Sequence, residues 1–345
     1  MKGSFLVELP NPPCGDPAVI VRPRNRGFAV LAEAGDLSAV ATRRLLSIRA
    51  ALVSHFHVDH AYGLGRLLRV RLGHPERPLT IVGPPGSAAR VAHHLAGYLW
   101  NLLPAYPLDL AVREIHRDRV ETWRFPRRVG FDPVRTGRTP WHEGGEVLAL
   151  EDEGISIRSL PLDHAGTTSL AWRIDEEEGL HVDPEALARE GLAPGPWLGE
   201  LKRLVRSGAP PGSPVEVPGS GRVPLGDLER RLLFRAEGDS VAIACDLAPI
   251  PANLAALASF AAGARTLVLE AYYREADREL ADAHGHLATP DTGLVARQAG
   301  PRRLVPFHVS PRYEGEEAAL LEELRAFAAP VPVSAPALLE PGSTR

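Results

Sequence analysis

Residues 54–65 read Ser-His-Phe-His-Val-Asp-His-Ala-Tyr-Gly-Leu-Gly. His55, His57, Asp59 and His60 fall within six positions. Imidazole nitrogens and carboxylate oxygens are the ligands of zinc and related divalent ions. His55 and His57 stand two apart at the end of an apolar run, so both can point to one side of an extended chain. Asp59 and His60 lie a turn further on and cannot easily reach the same point. The spacing therefore predicts two adjacent ions. A polar loop that is merely rich in histidine is the competing account, and four ligand-type residues in so short a stretch weigh against it.

Two ions need more ligands than this stretch holds. Three residues share its context, each directly after an apolar strand-like run. His164 follows "ISIRSLPLD", Asp246 follows "SVAIAC", and His308 follows "RRLVPF". Singly, each reads as a polar strand-end residue hydrogen-bonded to backbone. Together they read as a set, because loops on rigid strand ends commonly carry functional groups. The expected assignment is His55, His57 and His164 on one ion and Asp59, His60 and His308 on the other. Asp246 bridges them, since a carboxylate has two oxygens. His74, His93, His94, His116, His142 and His181 lack this context and are expected to be surface or core histidines.

The elements that must position these groups follow from pattern. "RAALVS" is a buried strand running into the histidine cluster, and "GLGRLLRVRLG" after it is helical. Apolar runs within 18–33 flank a turn and read as a hairpin. "EVLALEDEGISIRSLPLDH", "TTSLAWRI", "DSVAIACD", "ARTLVLEAYY" and "RRLVPFHVS" read as strands. "TPDTGLVARQAG" and "EGEEAALLEELRAFA" read as helices. Strands followed by helices in both halves predict an α/β class, with sheets packed between helical layers. The stretch 176–235 differs, being dominated by Pro, Gly and charge, and is expected to be an insertion projecting from the core. Within it "DPEALAREG" and "WLGELKRLVRSG" look like short helices.

The chain has 345 residues, 44% of them hydrophobic, which suffices for a sizeable core in one large domain over 1–345. A net charge of −4 argues against a basic footprint over the whole surface but allows a local one. Two cysteines, Cys14 and Cys245, are too few for a disulfide framework or a cysteine zinc site. No apolar run approaches a membrane span and the first residues lack a signal-peptide pattern, so a cytoplasmic protein with no membrane partner is expected.

"HFHVDH" matches the H-x-H-x-D-H signature of the metallo-β-lactamase superfamily, and the motif order resembles ribonuclease Z over roughly residues 45–315. "LPLDHAGTTSLAWRI" is similar to the family segment around its third-motif histidine. "LVLEAYY" resembles the strand bearing its His-Glu-Ala-Thr motif, and "AHGHLATPDTGLVARQAGPRRLVPFHVSPRY" resembles the segment with a second catalytic histidine and the last metal histidine. The insertion is similar to the family's protruding arm, with Gly195 and Pro196 as its Gly-Pro motif. The resemblance implies an αβ/βα four-layer sandwich, two metal ions that are usually zinc (manganese or iron being possible), precursor tRNA as substrate, and a homodimer. It also implies that Glu270 and His286 assist protonation of the leaving group, with Asp59 among the catalytic residues. His284 is the nearest rival to His286. Asp36 is expected to orient a ligand histidine, and Lys202, Arg203 and Arg206 on the arm to contact RNA.

The chain departs from the family elsewhere. The usual Asp-Cys-Gly-Glu-Gly-Thr is "AGDLSAVAT", the His and Thr of His-Glu-Ala-Thr are Leu269 and Tyr272, and the bridging segment is Cys245-Asp246-Leu247. These departures leave two further readings open. One is a related hydrolase of a small phosphodiester, cyclic nucleotide or other ester. The other is a non-catalytic, metal-bound binding module.

Overall fold

The computed structural model describes residues 4–335 apart from 25, 75, 77, 101–107 and 127–130. Among them the chain divides into two compact units, Met1–Asp175 with Asp239–Arg345, and Glu176–Gly238.

The larger unit is built on two sheets. The first holds eight strands in chain order: β1 (Phe5–Glu8), β2 (Val19–Pro23), β3 (Ala29–Ala32), β4 (Ile48–Leu52), β5 (Leu79–Gly83), β6 (Leu110–Ile115), β7 (Arg119–Arg124) and β8 (Val134–Pro140). Its centre, β3 to β6, is parallel, and antiparallel pairs flank it. The second holds β9 (Glu146–Leu150), β10 (Ile155–His164), β11 (Thr167–Glu176), β16 (Ser240–Ala244), β17 (Thr266–Glu270) and β18 (Arg303–Phe307), in the order 18-17-16-11-10-9. β16, β17 and β18 are parallel.

Strand alternation decides the layers. In β16, Val241 and Ile243 enter a core shared with Val30, Leu52 and Val82 of the first sheet. Ala242 and Ala244 point the other way, onto a helical layer. That layer is α8 (Pro251–Ala261), α9 (Arg278–His284), α10 (Thr289–Ala299) and α11 (Glu317–Ala328). The first sheet is backed by α1 (Thr42–Ser47), α2 (Val58–Ala61), α3 (Leu64–Arg71) and α4 (Ser87–Ala96), through Leu45, Leu67 and Val91. Helix, sheet, sheet, helix is the αβ/βα sandwich that the resemblance implies.

The smaller unit closes on itself. β12 (Gly179–Val182) pairs antiparallel with β15 (Leu233–Ala236), and β13 (Pro214–Val217) with β14 (Gly221–Pro224). Between them lie α5 (Pro184–Arg189), α6 (Trp197–Arg206) and α7 (Leu225–Leu232). Leu187, Trp197, Leu201, Val215 and Leu228 form a core of its own. The unit ends at Gly238 rather than 235, because the returning strand β15 is part of its closing ribbon. No described helix is long and apolar enough to cross a membrane.

Candidate metal centre

The predicted ligands leave the carboxyl ends of strands. His55 lies three residues past β4, His164 ends β10, Asp246 lies two past β16, Glu270 ends β17, and His308 follows β18. Beyond the carboxyl ends of a parallel sheet is where open α/β folds place their sites. Among described non-glycine residues, the left-handed conformations fall mostly here: Glu33, Ala165, Asp246 and His308 have φ of 60°, 49°, 54° and 49°. Such backbone costs about 1–3 kcal/mol per residue and persists where a site over-determines it.

Two donor groups meet at Asp246. His55 Nε2 and His164 Nε2 each lie 3.5 Å from Asp246 Oδ2, and His57 belongs to the same group. His60 Nε2 lies 3.4 Å and His308 Nδ1 2.9 Å from Asp246 Oδ1. Asp59 Oδ2 is 3.4 Å from His60 Nε2 and 3.6 Å from His308 Nε2. Ligands about 2.1 Å from a tetrahedral ion are about 3.4 Å from one another. The fit has a second sign. His55 Nε2, His60 Nε2, Asp246 Oδ1 and His308 Nδ1 are buried without a hydrogen bond. A buried polar atom left unpaired is costly, and a cation would satisfy all four. The donor set therefore suits divalent ions.

Tautomers are set from behind. His60 Nδ1 lies 2.9 Å from Glu33 Oε2. Ser54 Oγ donates to the same carboxylate at 3.0 Å and lies 2.9 Å from His55 Nδ1. A carboxylate only accepts, so His60 carries its proton on Nδ1, and the serine, its own proton spent on Glu33, accepts from His55 Nδ1. His164 Nδ1 donates to the carbonyl of Gly285 at 2.8 Å. In their neutral forms all three rings thus turn Nε2, not Nδ1, toward the centre as the lone-pair nitrogen.

Charge follows the same geometry. Burial, then repulsion from His60, depresses the His55 ring to about 3, so it stays neutral. Burial also lowers His57. Burial pushes His60 and His308 down, but Asp246 outweighs it and lifts both well above the ordinary histidine range. Burial raises the Asp246 and Asp59 carboxyls, and the His308 and His60 rings more than reverse it. A cation entering the centre must displace the protons of His60 and His308.

Glu270 and His286 sit beside this group. His286 Nδ1 donates to Glu270 Oε2 at 2.9 Å, and the other carboxylate oxygen accepts from the amides of Leu247 and Leu287. His284, the rival, instead meets Tyr273 Oη through Nδ1 at 2.8 Å.

Asp36 is not where the sequence put it. Its carboxylate accepts from the Ser38 amide and hydroxyl, and Glu33 holds the histidine instead. The register was readable: counted back from Gly35, the glycine of the family's first motif, Glu33 rather than Asp36 takes the aspartate's place. Gly35 and Gly63 let the two loops touch; a Cβ on Gly63 would lie 2.0 Å from the carbonyl oxygen of Gly35. Cys245 is a buried thiol pushed up to about 12, by burial and then by Glu33. Glu114, His116 and Glu121 form a separate group on β6 and β7, but Glu121 is already paired with Arg119 and Arg135, so it reads as an ion-pair network.

In the smaller unit, Gly195 and Pro196 lead into α6, with Pro196 at its N-cap. Arg203 is paired with Glu200 through two hydrogen bonds. Lys202 and Arg206 have no ion pair among the described residues.

No protein-family model matches the chain. It is 38% identical over 284 residues to the ribonuclease Z of Deinococcus radiodurans, covering 82% of this chain and 81% of that one. The metallo-β-lactamase-fold protein YhfI of Bacillus subtilis superposes with a TM-score of 0.53 at 14% identity, over 97% of this chain and 96% of its own. The short form of human tRNase Z gives 0.50 at 16% identity, over 96% and 95%. The two structures speak for the fold, and the curated relative, with its coverage of both chains, speaks for the family. The chain belongs to the ribonuclease Z family of metallo-β-lactamase-fold proteins.

Proposed function

We propose that this protein is a metal-dependent endoribonuclease that trims the 3′ end of precursor tRNA. The observation that carries the reading is the convergence of two histidine groups on opposite oxygens of Asp246, beside a buried Glu270–His286 pair. His55, His57 and His164 hold one ion, Asp59, His60 and His308 the other, and Asp246 both. Zinc is the expected metal, manganese or iron the substitutes. Bound divalent ions acidify water and offset charge building on the scissile phosphate.

The chain's own groups do the rest. Asp59, half-exposed beside His60 and His308, lines the face where water and phosphate meet. His286 donates a proton to the departing 3′-oxygen, and the Glu270 carboxylate stabilises the charged ring until then. Glu270 is suited to this, because the His286 ring overcomes the effect of burial and holds its carboxyl below the usual carboxylate range.

The unit 176–238 is best read as an arm inserted in a single domain, with Lys202 and Arg206, and less so Arg203, meeting RNA phosphates. A homodimer is supported by a cluster of exposed apolar residues, Val58, Tyr62, Tyr98 and Leu99. The substrate implies a cytoplasmic setting.

Incubation with an unprocessed tRNA precursor tests the reading. One cut after the discriminator nucleotide, abolished by chelator and restored by zinc or manganese, is expected. Cleavage of bis(p-nitrophenyl) phosphate with no cleavage of precursor tRNA would move the protein to a small-diester hydrolase.

A further inference from the structure

Tyr272 stands where the family motif has threonine, and its ring lies flat on His286. The ring centroids are 3.9 Å apart and the planes only 11° apart. The same tyrosine meets His308 edge-on, at 5.0 Å and 61°. Backbone holds this arrangement. The Tyr273 amide donates to the Leu287 carbonyl at 3.1 Å, and the Thr289 amide to the Tyr273 carbonyl at 2.8 Å. The segment carrying His286 is thereby laced to the segment carrying the tyrosine. The Ser310 amide donates to the Tyr272 carbonyl at 3.0 Å, which ties in the loop after His308.

His286 needs such support. Its one side-chain hydrogen bond among the described residues runs from Nδ1 to Glu270, and a ring held at one edge can still swing about that bond. A flat aromatic face against the imidazole blocks the swing.

We infer that Tyr272 is a positioning residue that holds His286 as the acid for a poor leaving group. The inference rests on the role given above to the Glu270–His286 pair. Water adds across the P–O3′ bond: its oxygen joins phosphorus as that bond breaks, and His286 passes one proton to O3′. The pair recovers a proton when the added water gives one up.

The test compares kcat and KM of wild type, Tyr272→Ala and Tyr272→Phe on three diesters: a tRNA precursor, an unstructured RNA oligonucleotide and bis(p-nitrophenyl) phosphate. p-Nitrophenolate departs as a stable anion and needs no acid. Tyr272→Ala should lower kcat on both RNAs tenfold or more with KM little changed. It should leave the nitrophenyl substrate within about twofold. Tyr272→Phe keeps the stacked face and should restore RNA cleavage. Metal content by mass spectrometry should be equal in all three. Equal loss on all substrates, no loss on RNA, or a phenylalanine variant as poor as alanine would overturn the inference. Failure of the substrate reading appears separately, as a wild type with no preference for tRNA over the oligonucleotide. The variant-to-wild-type ratio on that oligonucleotide still decides the role of Tyr272.

Discussion

Glu33 acts on two histidines with one carboxylate. It meets His60 directly and His55 through Ser54, and in the assignment above those rings serve different ions. Replacing it with alanine would strand several buried donors and confuse ligand orientation with stability. Glu33→Gln keeps the shape and removes the charge that fixes the tautomers. The expected result is a 10–100-fold loss of metal affinity or activity, with the circular dichroism spectrum unchanged. Asp36→Asn serves as the control, because the Asp36 carboxylate meets Ser38 and Tyr62 rather than a ligand histidine. Chelator competition would show the difference, and equal effects of the two substitutions would sink the role given to Glu33. The candidate ligands could be picked out in sequence because each group follows a strand too apolar to be anything but buried. Glu33 was harder to see. Nothing in its spacing to the histidines marks it; counting back from Gly35 does, and the pairing of β3 with β4 is what brings it to them. Gly285 is similar. Its φ of 71° and its carbonyl on His164 are set by the fold, and no motif announces them.

Among elements, α6 of the arm carries its chemistry on one face. Trp197 and Leu201 are buried, and Lys202, Arg203 and Arg206 face outward to differing degrees. Pairing separates the three cations. Glu200 already neutralises Arg203, so removing that arginine frees a carboxylate as well as losing a cation. Lys202→Ala with Arg206→Ala should raise KM for precursor tRNA and lower the salt-dependence slope of binding by about 2, with the small diester untouched. Filter binding over a range of salt measures it, and an unchanged slope would remove these residues from the RNA surface. α5 and α6 and the strands beneath the site were readable from period and punctuation, whereas α7, Leu225–Leu232, was not. Other elements left no such signal. β8, Val134–Pro140, is exposed along nearly its whole length and so has no buried face to create alternation. α8, Pro251–Ala261, is made largely of small apolar residues, and its hydrophobicity hardly varies around the helix. β13 and β14 are four-residue strands set among prolines and glycines, which read as loop until the chain closes on itself.

At the scale of the whole molecule, apolar exposure is unevenly spread. Val58, Tyr62, Tyr98 and Leu99 are 76%, 46%, 52% and 93% exposed, and they account for most of the large exposed hydrophobics among the described residues. They cluster: Val58 and Tyr62 line a cavity of about 200 Å³ with Phe56, Arg90 and His94, and the His94 ring lies against Tyr98 at 5.5 Å. A net charge of only −4 supplies little long-range repulsion between copies. Contiguous apolar surface of this kind is covered in most soluble proteins, and a second copy would cover it by two-fold symmetry. Light scattering after size exclusion should then give twice the chain mass of 37.2 kDa. Leu99→Glu places a charge at the most exposed point of the patch without altering any proposed metal ligand. It should shift the protein to monomer at micromolar concentration while metal content stays at the wild-type level. A wild type that is monomeric throughout, or a Leu99→Glu variant with undiminished mass, would mean that this surface is not the contact between subunits.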